Sequence, residues 1–579
     1  MQLAGNGSPA NGTRPGRRWL IGIFVVTLGI YAWATPTVLT YTEPPTGDQP
    51  FYLQTAISIV EDHDINEYNN YNESQSYNQF YPPMPSYPEA LAYPAGFKGI
   101  PAPYPLPPTG HVGATKNRPA DEWYSKHGLG VPVLIIPGWV IGKALTPVFA
   151  PLFARWTMNG GGGWPGTVFE FNILGALLAV QVFLFAWETT RRRGIALAVW
   201  AALAFSNPQM SYSLLIFPEM PAALLALYAF RRLNLGWAAN RPWQLLLAGF
   251  CIGYIPWLHA RFLPLTLVLA LYALYQWLHA RRDAAAPAVE PAALLPASPP
   301  AAITRPAGLT LGRLALALAP VVLSGLLLAY YYYWLYSSPL PNTQDHAGFF
   351  MPWLADDRLG LLLSVLGLFL DQQWGLLIYA PVFLLAVVGF FALWQTPAKR
   401  QTLGWLALLI VPYFAVVAEY RVWWGEWCPP ARYLMVITPL LAGPLAQSLL
   451  VLRRSRAYGA LYAGLGGLGV ALMGGLIGGL SDRVGGQIPT FFNQPTGQAS
   501  LFNWLAIRLH LNLINLLPGL VPWFSDHTRA IPWIPLVLVF SVAGLIVTTG
   551  LLLLDSARQR AEARVAFYNY IRPVPRRPA

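Results

Sequence analysis

The stretch WLIGIFVVTLGIYAWATPTVLT, Trp19–Thr40, decides the fold. It is apolar over the length that a bilayer-crossing helix needs, about 20 residues. It follows Arg14, Arg17 and Arg18, as a secretory signal would, but its apolar run is too long for a cleaved signal core. It reads as a retained signal-anchor helix. Behind it comes a polar insert, Tyr41–Gly128, rich in Tyr, Asn and Pro, which opens on Thr46-Gly47-Asp48-Gln49-Pro50-Phe51-Tyr52-Leu53. Asp48 therefore stands just past the first span, at the head of a segment with helical spacing.

Composition agrees with that reading. The chain has 579 residues, 55% hydrophobic and 11% charged, with mean hydropathy +0.42. Soluble domains carry about 25% charged residues. An all-α polytopic membrane protein follows. The net charge of +12 does not signal nucleic acid, because the arginines cluster at the ends of apolar spans, as the positive-inside rule requires. Cys251 and Cys428 provide neither a disulfide framework nor a metal-ligand cluster.

The chain divides accordingly. Residues 1–18 form a basic, Gly/Asn/Pro-rich cytoplasmic terminus, 19–40 the first span, and 41–128 an external loop. In that loop Phe51, Leu53, Ile57 and Val60 are spaced for a helix lying on the membrane surface. The Tyr68–Tyr81 run and the Pro82–Pro108 cluster suit an ordered lid, since so many aromatics favour burial. Residues 129–480 form a polytopic core with an Ala/Pro-rich cytoplasmic linker at 283–308. A second external region spans 481–530, a last helix 531–554, and a basic cytoplasmic tail 555–579. Residues 129–150 contain Pro132, Pro137, Gly138 and Gly142, which favours a broken helix that dips into the membrane and returns. Crossings are expected at 167–189, 195–215, 219–231, 243–259, 262–279, 310–336, 375–396, 403–420, 433–452, 457–480 and 531–554. With the first span this makes about twelve helices. The count puts Arg191–Arg193, Arg231/Arg232, Arg281/Arg282, Lys399/Arg400 and Arg453/Arg454/Arg456 on the cytoplasmic side.

The same count gathers the ionisable residues at the outer face: Asp48, His127, Glu219, His259, Arg261, Asp371, Arg421 and Arg432. Such groups beside apolar spans are costly, and by default suggest function. Three of them also have a plain structural reading. Asp48 before Gln49-Pro50 suits a helix N-cap. Glu219 suits a cap or an arginine partner, and Asp371 a partner for an arginine such as Arg421. The tryptophans at 423, 424 and 427 suit an interfacial belt, and Tyr330–Tyr333 an anchor. Asp62, His63 and Asp64 suit a solvated loop better than a divalent-cation site with Asp48.

Asp48 after the first span resembles the acidic motif of the GT-C superfamily of membrane glycosyltransferases, which includes aminoarabinose and protein O-mannosyl transferases. Those enzymes carry an acidic pair at this place; here the second position is Gln49. From the first span to the last (20–555), the chain also resembles a set of bacterial membrane proteins of this type. The shared motifs are Gly47–Leu53, His127–Gly130, Phe217–Glu219, Trp257–Arg261, Asp371–Leu376 and Trp423–Tyr433.

The resemblance implies a GT-C-like bundle in the bacterial cytoplasmic membrane, with both termini cytoplasmic and the active site outside. It implies inverting transfer of a sugar from a polyprenyl-phosphate donor to a glycan, lipid or protein acceptor. Asp48 would be the general base. His127, His259, Arg261, Arg421 and Arg432 would hold the donor phosphate. Tyr52, Glu219, Asp371, Trp423, Trp424 and Trp427 would line the pocket, with no metal ligand assigned. The rival readings are a non-enzymatic GT-C-like subunit of a larger membrane assembly and a lipid-glycan flippase. The second would carry inverted repeats, which the sequence does not show.

Overall fold

The computed structural model describes residues 15–42, 45, 47–72, 111–112, 122, 124–125, 127–149, 161–285, 311–340, 358–420, 422–425, 428–482, 491, 500–521 and 533–571. These form an all-α membrane protein; the strands described are the short antiparallel pair His111–Val112 and Tyr124–Ser125. The first five residues of the expected lid, Tyr68–Asn72, form a short helix; the rest of the lid, the linker beyond Ala285 and the ends of the chain lie outside the described residues.

Among the described residues, seven helices are long and apolar enough to cross a bilayer: Arg17–Tyr41, Gly163–Thr190, Ala260–Arg282, Leu311–Tyr336, Pro397–Ala418, Arg456–Ser481 and Trp533–Arg560. Shorter apolar helices fill the spaces between them. The elements that position the site are α1 (Arg17–Tyr41), α2 (Gln49–Ile57), α3 (Gly130–Ala144), α4 (Gly163–Thr190), α5 (Arg193–Ala204), α6 (Glu219–Asn234), α7 (Pro242–Leu258) and α8 (Leu263–Ala285). They are followed by α9 (Leu311–Tyr336), α10 (Arg358–Leu370), α11 (Leu385–Trp394), α12 (Arg400–Ala418), α13 (Ala442–Val451), α14 (Arg456–Gly478), α15 (Ser500–Arg508) and α16 (Trp533–Ile571). Helix α10 is an apolar helix absent from the expected set of crossings. Helix α16 runs on through much of the expected basic tail.

Three expected crossings are interrupted. The span at 195–215 stops at Ala204, turns through Ser206-Asn207-Pro208 and restarts as the short helix Gln209–Ser213. The span at 375–396 starts as a single helical turn, Leu376–Tyr379, and passes through a 3₁₀ turn, Pro381–Leu384, before α11; the span at 433–452 begins with 3₁₀ turns at Tyr433–Val436 and Thr438–Leu441 before α13. A proline stands at each break: it lacks an amide donor and its ring collides with the preceding turn. Irregular backbone is tolerated at membrane depth where protein surrounds it. Ser206, Asn207, Pro381 and Thr438 are all buried.

Helix α3 departs from the broken hairpin expected at 129–150. It continues through Pro137, and the amide of Gly138 donates to Glu170 Oε2 at 2.8 Å. Its glycines serve contact rather than flexibility. A Cβ on Gly142 would lie 2.2 Å from the Gly162 carbonyl oxygen, and one on Gly166 would lie 2.3 Å from that of Gly138. Gly138 and Gly142 thus face Gly162 and Gly166 across a small-residue seam between α3 and α4, the close backbone approach typical of membrane helix pairs. Helix α4 accordingly starts at Gly163, the last residue of the run Gly160–Gly163.

Helix α2 is also placed differently from the surface helix expected. Gln49, Pro50 and every residue from Tyr52 to Ile57 are buried, and a π-helical turn, Ser58–Asp62, continues it. Two of its polar side chains are paired inside the protein: Thr55 donates to Glu67, and Ser58, in the turn that follows, to Asp64 Oδ1 at 2.9 Å. The Gln49 amide oxygen accepts the Ile216 N–H at 3.1 Å, so the start of α2 is tied to the segment that leads into α6.

A large side chain in the α3–α4 seam forces the backbones apart, an overpacking cost of about 1–3 kcal/mol. Gly166→Leu is therefore expected to lower the unfolding midpoint in detergent. Gly467→Leu on α14, where a Cβ meets nothing within 4 Å, is expected to leave it unchanged. Equal midpoints for the two variants would remove the seam from the account.

Candidate functional site

Four charged side chains form one chain of ion pairs. Arg432 Nη2 donates to Asp48 Oδ2, and Arg432 Nε donates to Glu219 Oε1 at 3.0 Å. Arg261 Nη2 donates to that same Glu219 oxygen. The order is Asp48–Arg432–Glu219–Arg261, two carboxylates against two guanidiniums. Glu219 is 0% exposed, Arg432 5% and Arg261 6%, whereas Asp48 is 25% exposed. Access to the chain is therefore through Asp48.

Tyr433 lies between the cations. The Arg261 guanidinium sits 4.7 Å from its ring centre and that of Arg432 5.4 Å; Phe217 lies 4.6 Å from Arg432 on another side. Aromatic faces stabilise desolvated cations, and these rings also keep water from the pairs. Arg432 Nη1 donates to the Gly425 carbonyl at 3.1 Å.

The backbone that presents Arg432 is held on several sides. Tyr212 and Asn207 donate to the carbonyls of Pro429 and Pro430 at 2.6 and 2.9 Å. The Ala431 amide donates to the Trp374 carbonyl at 3.0 Å. Tyr413 donates to the Tyr433 carbonyl at 2.8 Å. Ala431 itself has φ +58°, a left-handed conformation that costs a Cβ-bearing residue about 1–2 kcal/mol. The surrounding hydrogen bonds hold it there, and so aim Arg432.

Asp48 occupies the N-cap position of α2 without making a side-chain cap hydrogen bond; its carboxylate goes to Arg432 instead. Burial alone would raise the Asp48 carboxyl. The adjacent Arg432, with His127 and Arg261, outweighs burial and holds it below the usual carboxylate range. Glu219 begins α6, yet its carboxylate is spent on the two arginines.

The remaining candidates are distributed around this chain. The His127 ring stacks on Phe51 at 4.9 Å and meets the edge of Tyr52 at 5.3 Å. His259 Nδ1 accepts the Arg261 backbone amide at 3.2 Å, a local turn that fixes the entrance to α8. Gly128 and Gly130 press on the carbonyl group of Trp257, and a Cβ on either would lie within 2.7 Å of its oxygen. The His127–Gly130 and Trp257–Arg261 motifs thus meet. Asp371 accepts the amides of Gln373, Trp374 and Leu520 at 2.7, 3.1 and 2.6 Å. It braces the backbone behind Ala431, where a pairing with an arginine such as Arg421 was expected. Burial pushes its carboxyl up to about 6 against the pull of those amides. Trp423 and Trp424 are buried, edge to face at 5.7 Å, with Trp423 packed on Gly367 of α10 rather than in an interfacial belt. Arg421 and Trp427 lie outside the described residues.

Reading the sequence passed over three residues that the structure brings in: Gln49, Phe217 and Tyr433. Each adjoins or sits inside a motif quoted above, but its part depends on a contact with a distant segment. Several buried polar atoms here have no hydrogen-bond partner among the described residues: Tyr52 Oη, Glu219 Oε2 and Arg261 Nε. Such atoms ask for an explanation, commonly a water or a ligand. Among the described residues no group of three or more His, Cys, Asp or Glu side chains is placed to hold a metal ion. Against models of known protein families, curated proteins and solved structures, the chain has no match.

Breaking a buried ion pair from one side leaves an uncompensated charge and costs about 3–5 kcal/mol. Glu219→Gln strands two guanidiniums, whereas Asp48→Asn acts on the part-exposed end. In denaturation in detergent, Glu219→Gln is expected to lose more stability than Asp48→Asn. The reverse order would show that Glu219 is not the hub.

Proposed function

We propose that the protein is a membrane glycosyltransferase of GT-C type, moving a sugar from a polyprenyl-phosphate donor to an acceptor hydroxyl at the extracytoplasmic face. The observation that carries this reading is the pairing of a part-exposed carboxylate, Asp48, with a buried guanidinium, Arg432, that a second carboxylate already orients. A bundle of about twelve membrane helices with the large first loop outside is the architecture the reading requires.

The chemistry divides between the two ends of that pair. Arginine suits phosphate through its fork of donors. A donor phosphate arriving at Arg432 takes over the donor now given to Asp48. Once Arg432 is neutralised by phosphate, the carboxylate loses the partner that depresses its pKa and becomes a stronger base where one is needed. The acceptor oxygen attacks the anomeric carbon as its proton passes to Asp48. The bond from the anomeric carbon to the phosphate oxygen breaks, and the lipid phosphate leaves onto Arg432. A single displacement inverts the anomeric centre. Glu219 stays in place and keeps the two guanidiniums from drifting apart. His127, on the rings of Phe51 and Tyr52, and His259, at the turn before Arg261, flank the same chain of charges. The acceptor class, whether glycan, lipid or protein, is left open by this chemistry.

A second reading, a non-enzymatic GT-C-like subunit of a membrane assembly, rests on one observation: the four charges of the chain already cancel. Two experiments separate the readings. In proteoliposomes charged with a polyprenyl-phosphate sugar, Asp48→Asn is expected to slow transfer by at least about 100-fold, the usual contribution of a general base. No transfer by the wild type with any such donor favours the subunit, and wild-type turnover in Asp48→Asn removes Asp48 from the mechanism. The second experiment is a pH profile. A carboxyl held low stays ionised as the pH falls past the ordinary aspartate value of about 3.9 and protonates only below it. The acid limb of kcat/KM, which reports the free enzyme, is expected below that value; a limb near neutrality would assign the base elsewhere.

A further inference from the structure

A second feature lies at the other end of α1, independent of the reading above. A cavity of about 420 Å³ runs between α1 and α5, lined by Arg18, Trp19, Gly22 and Val26 on α1 and by Leu197 and Trp200 on α5. Arg18 stands near the start of α1, and Asp48 follows its far end. At 1.5 Å per residue the helix separates them by about 35 Å, enough to cross a bilayer's apolar core of about 30 Å.

The cavity is apolar along its length and basic at its mouth. The Arg193 guanidinium lies 4.6 Å from the Trp19 ring centre, so α5 and α1 are joined at the rim by a cation–π contact. The Trp200 indole donates to Thr27 Oγ1 at 3.1 Å and ties the two helices one turn below Ile23. Among the described residues, Arg17, Arg18, Arg192 and Arg193 form no ion pair, and the nearby carboxylate of Glu188 is already held by Arg231. Four guanidiniums with no acid partner at the edge of an apolar slot leave a positive field facing the membrane surface. Each basic residue near an anionic bilayer surface contributes about 1 kcal/mol of attraction to its lipids.

We propose that this groove is a binding site for an anionic glycerophospholipid: one acyl chain lies along Gly22, Val26, Leu197 and Trp200, and the phosphate meets Arg18 and Arg193. Gly22 has a specific part in it. A Cβ there would touch nothing within 4 Å, because the space beside it is the groove itself. A lipid held here clamps α5 to α1, and α5 leads through the Asn207-Pro208 turn into the segment that holds Pro429 and Pro430.

The test uses the full chain in nanodiscs of phosphatidylcholine with a graded fraction of phosphatidylglycerol. Lipid retained after transfer to detergent is read by native mass spectrometry, together with the unfolding midpoint. The wild type is expected to retain phosphatidylglycerol over phosphatidylcholine and to melt higher as its fraction rises. Arg18→Gln with Arg193→Gln removes two charges and is expected to lower that retention about tenfold or more. Gly22→Leu fills the slot, keeps every charge, and is expected to lose the retained lipid with its midpoint in pure phosphatidylcholine unchanged. Equal retention of the two lipids by the wild type, or full retention by Gly22→Leu, overturns the proposal. Displacement of the lipid by millimolar inorganic phosphate overturns it as well, since it would make the site a soluble-anion site.

Discussion

Arg432 is the point on which the structure turns. A guanidinium almost wholly removed from water is sustained only if its charge and donors are matched, because the desolvation cost of a bare ion is several kcal/mol. Here Asp48, Glu219 and the Gly425 carbonyl match them, and the rings of Phe217 and Tyr433 cover the faces. With Arg261, which shares Glu219, the groups that balance this charge come from four separate parts of the chain. The loop after α1, the start of α6, the turn before α8 and the segment after α12 must all converge for the charges to cancel. A satisfied buried network of this kind specifies one arrangement of the bundle rather than merely stabilising it. The strained φ of Ala431, the hydrogen bonds from Tyr212 and Asn207 that surround it, and the one its own amide donates to the Trp374 carbonyl are local consequences.

How much of this was legible in the sequence follows from what each kind of signal reports. An ionisable residue beside an apolar span is expensive wherever it occurs, so Asp48, Glu219, Arg261 and Arg432 stood out, and they meet. The N-cap reading of Asp48 was equally good chemistry locally; only Arg432, far along the chain, decides against it. Asp371 stood out for the same reason but is held by backbone amides, partners that no side-chain pattern reveals. Helix α2 shows why periodicity marks an apolar face without saying what lies against the other: Thr55 and Ser58 on its polar side are met by Glu67 and Asp64. The glycines at 138, 142, 162 and 166 illustrate an ambiguity of type, since glycine serves a flexible turn and a tight helix contact alike. The prolines at 208, 381 and 439 are plain in the sequence, but hydropathy counts a broken span like a continuous one.

The two ends of α1 differ electrostatically, and the difference has a physical sense. Near Tyr41 the charges are buried, paired and neutral overall. Near Arg17 they are exposed and of one sign. A neutral, internally compensated cluster suits a site that exchanges one anion for another, since a ligand can displace Asp48 without creating new charge. An uncompensated rim suits standing contact with an anionic surface.

The most direct test of the central claim is the affinity of the protein for polyprenyl phosphate without a sugar, compared between the wild type and Asp48→Asn. If the phosphate and Asp48 compete for the same donors on Arg432, removing the carboxylate frees the guanidinium, and the variant binds the lipid phosphate more tightly than the wild type. Equal or weaker binding by Asp48→Asn would mean that Arg432 does not trade its aspartate for a phosphate.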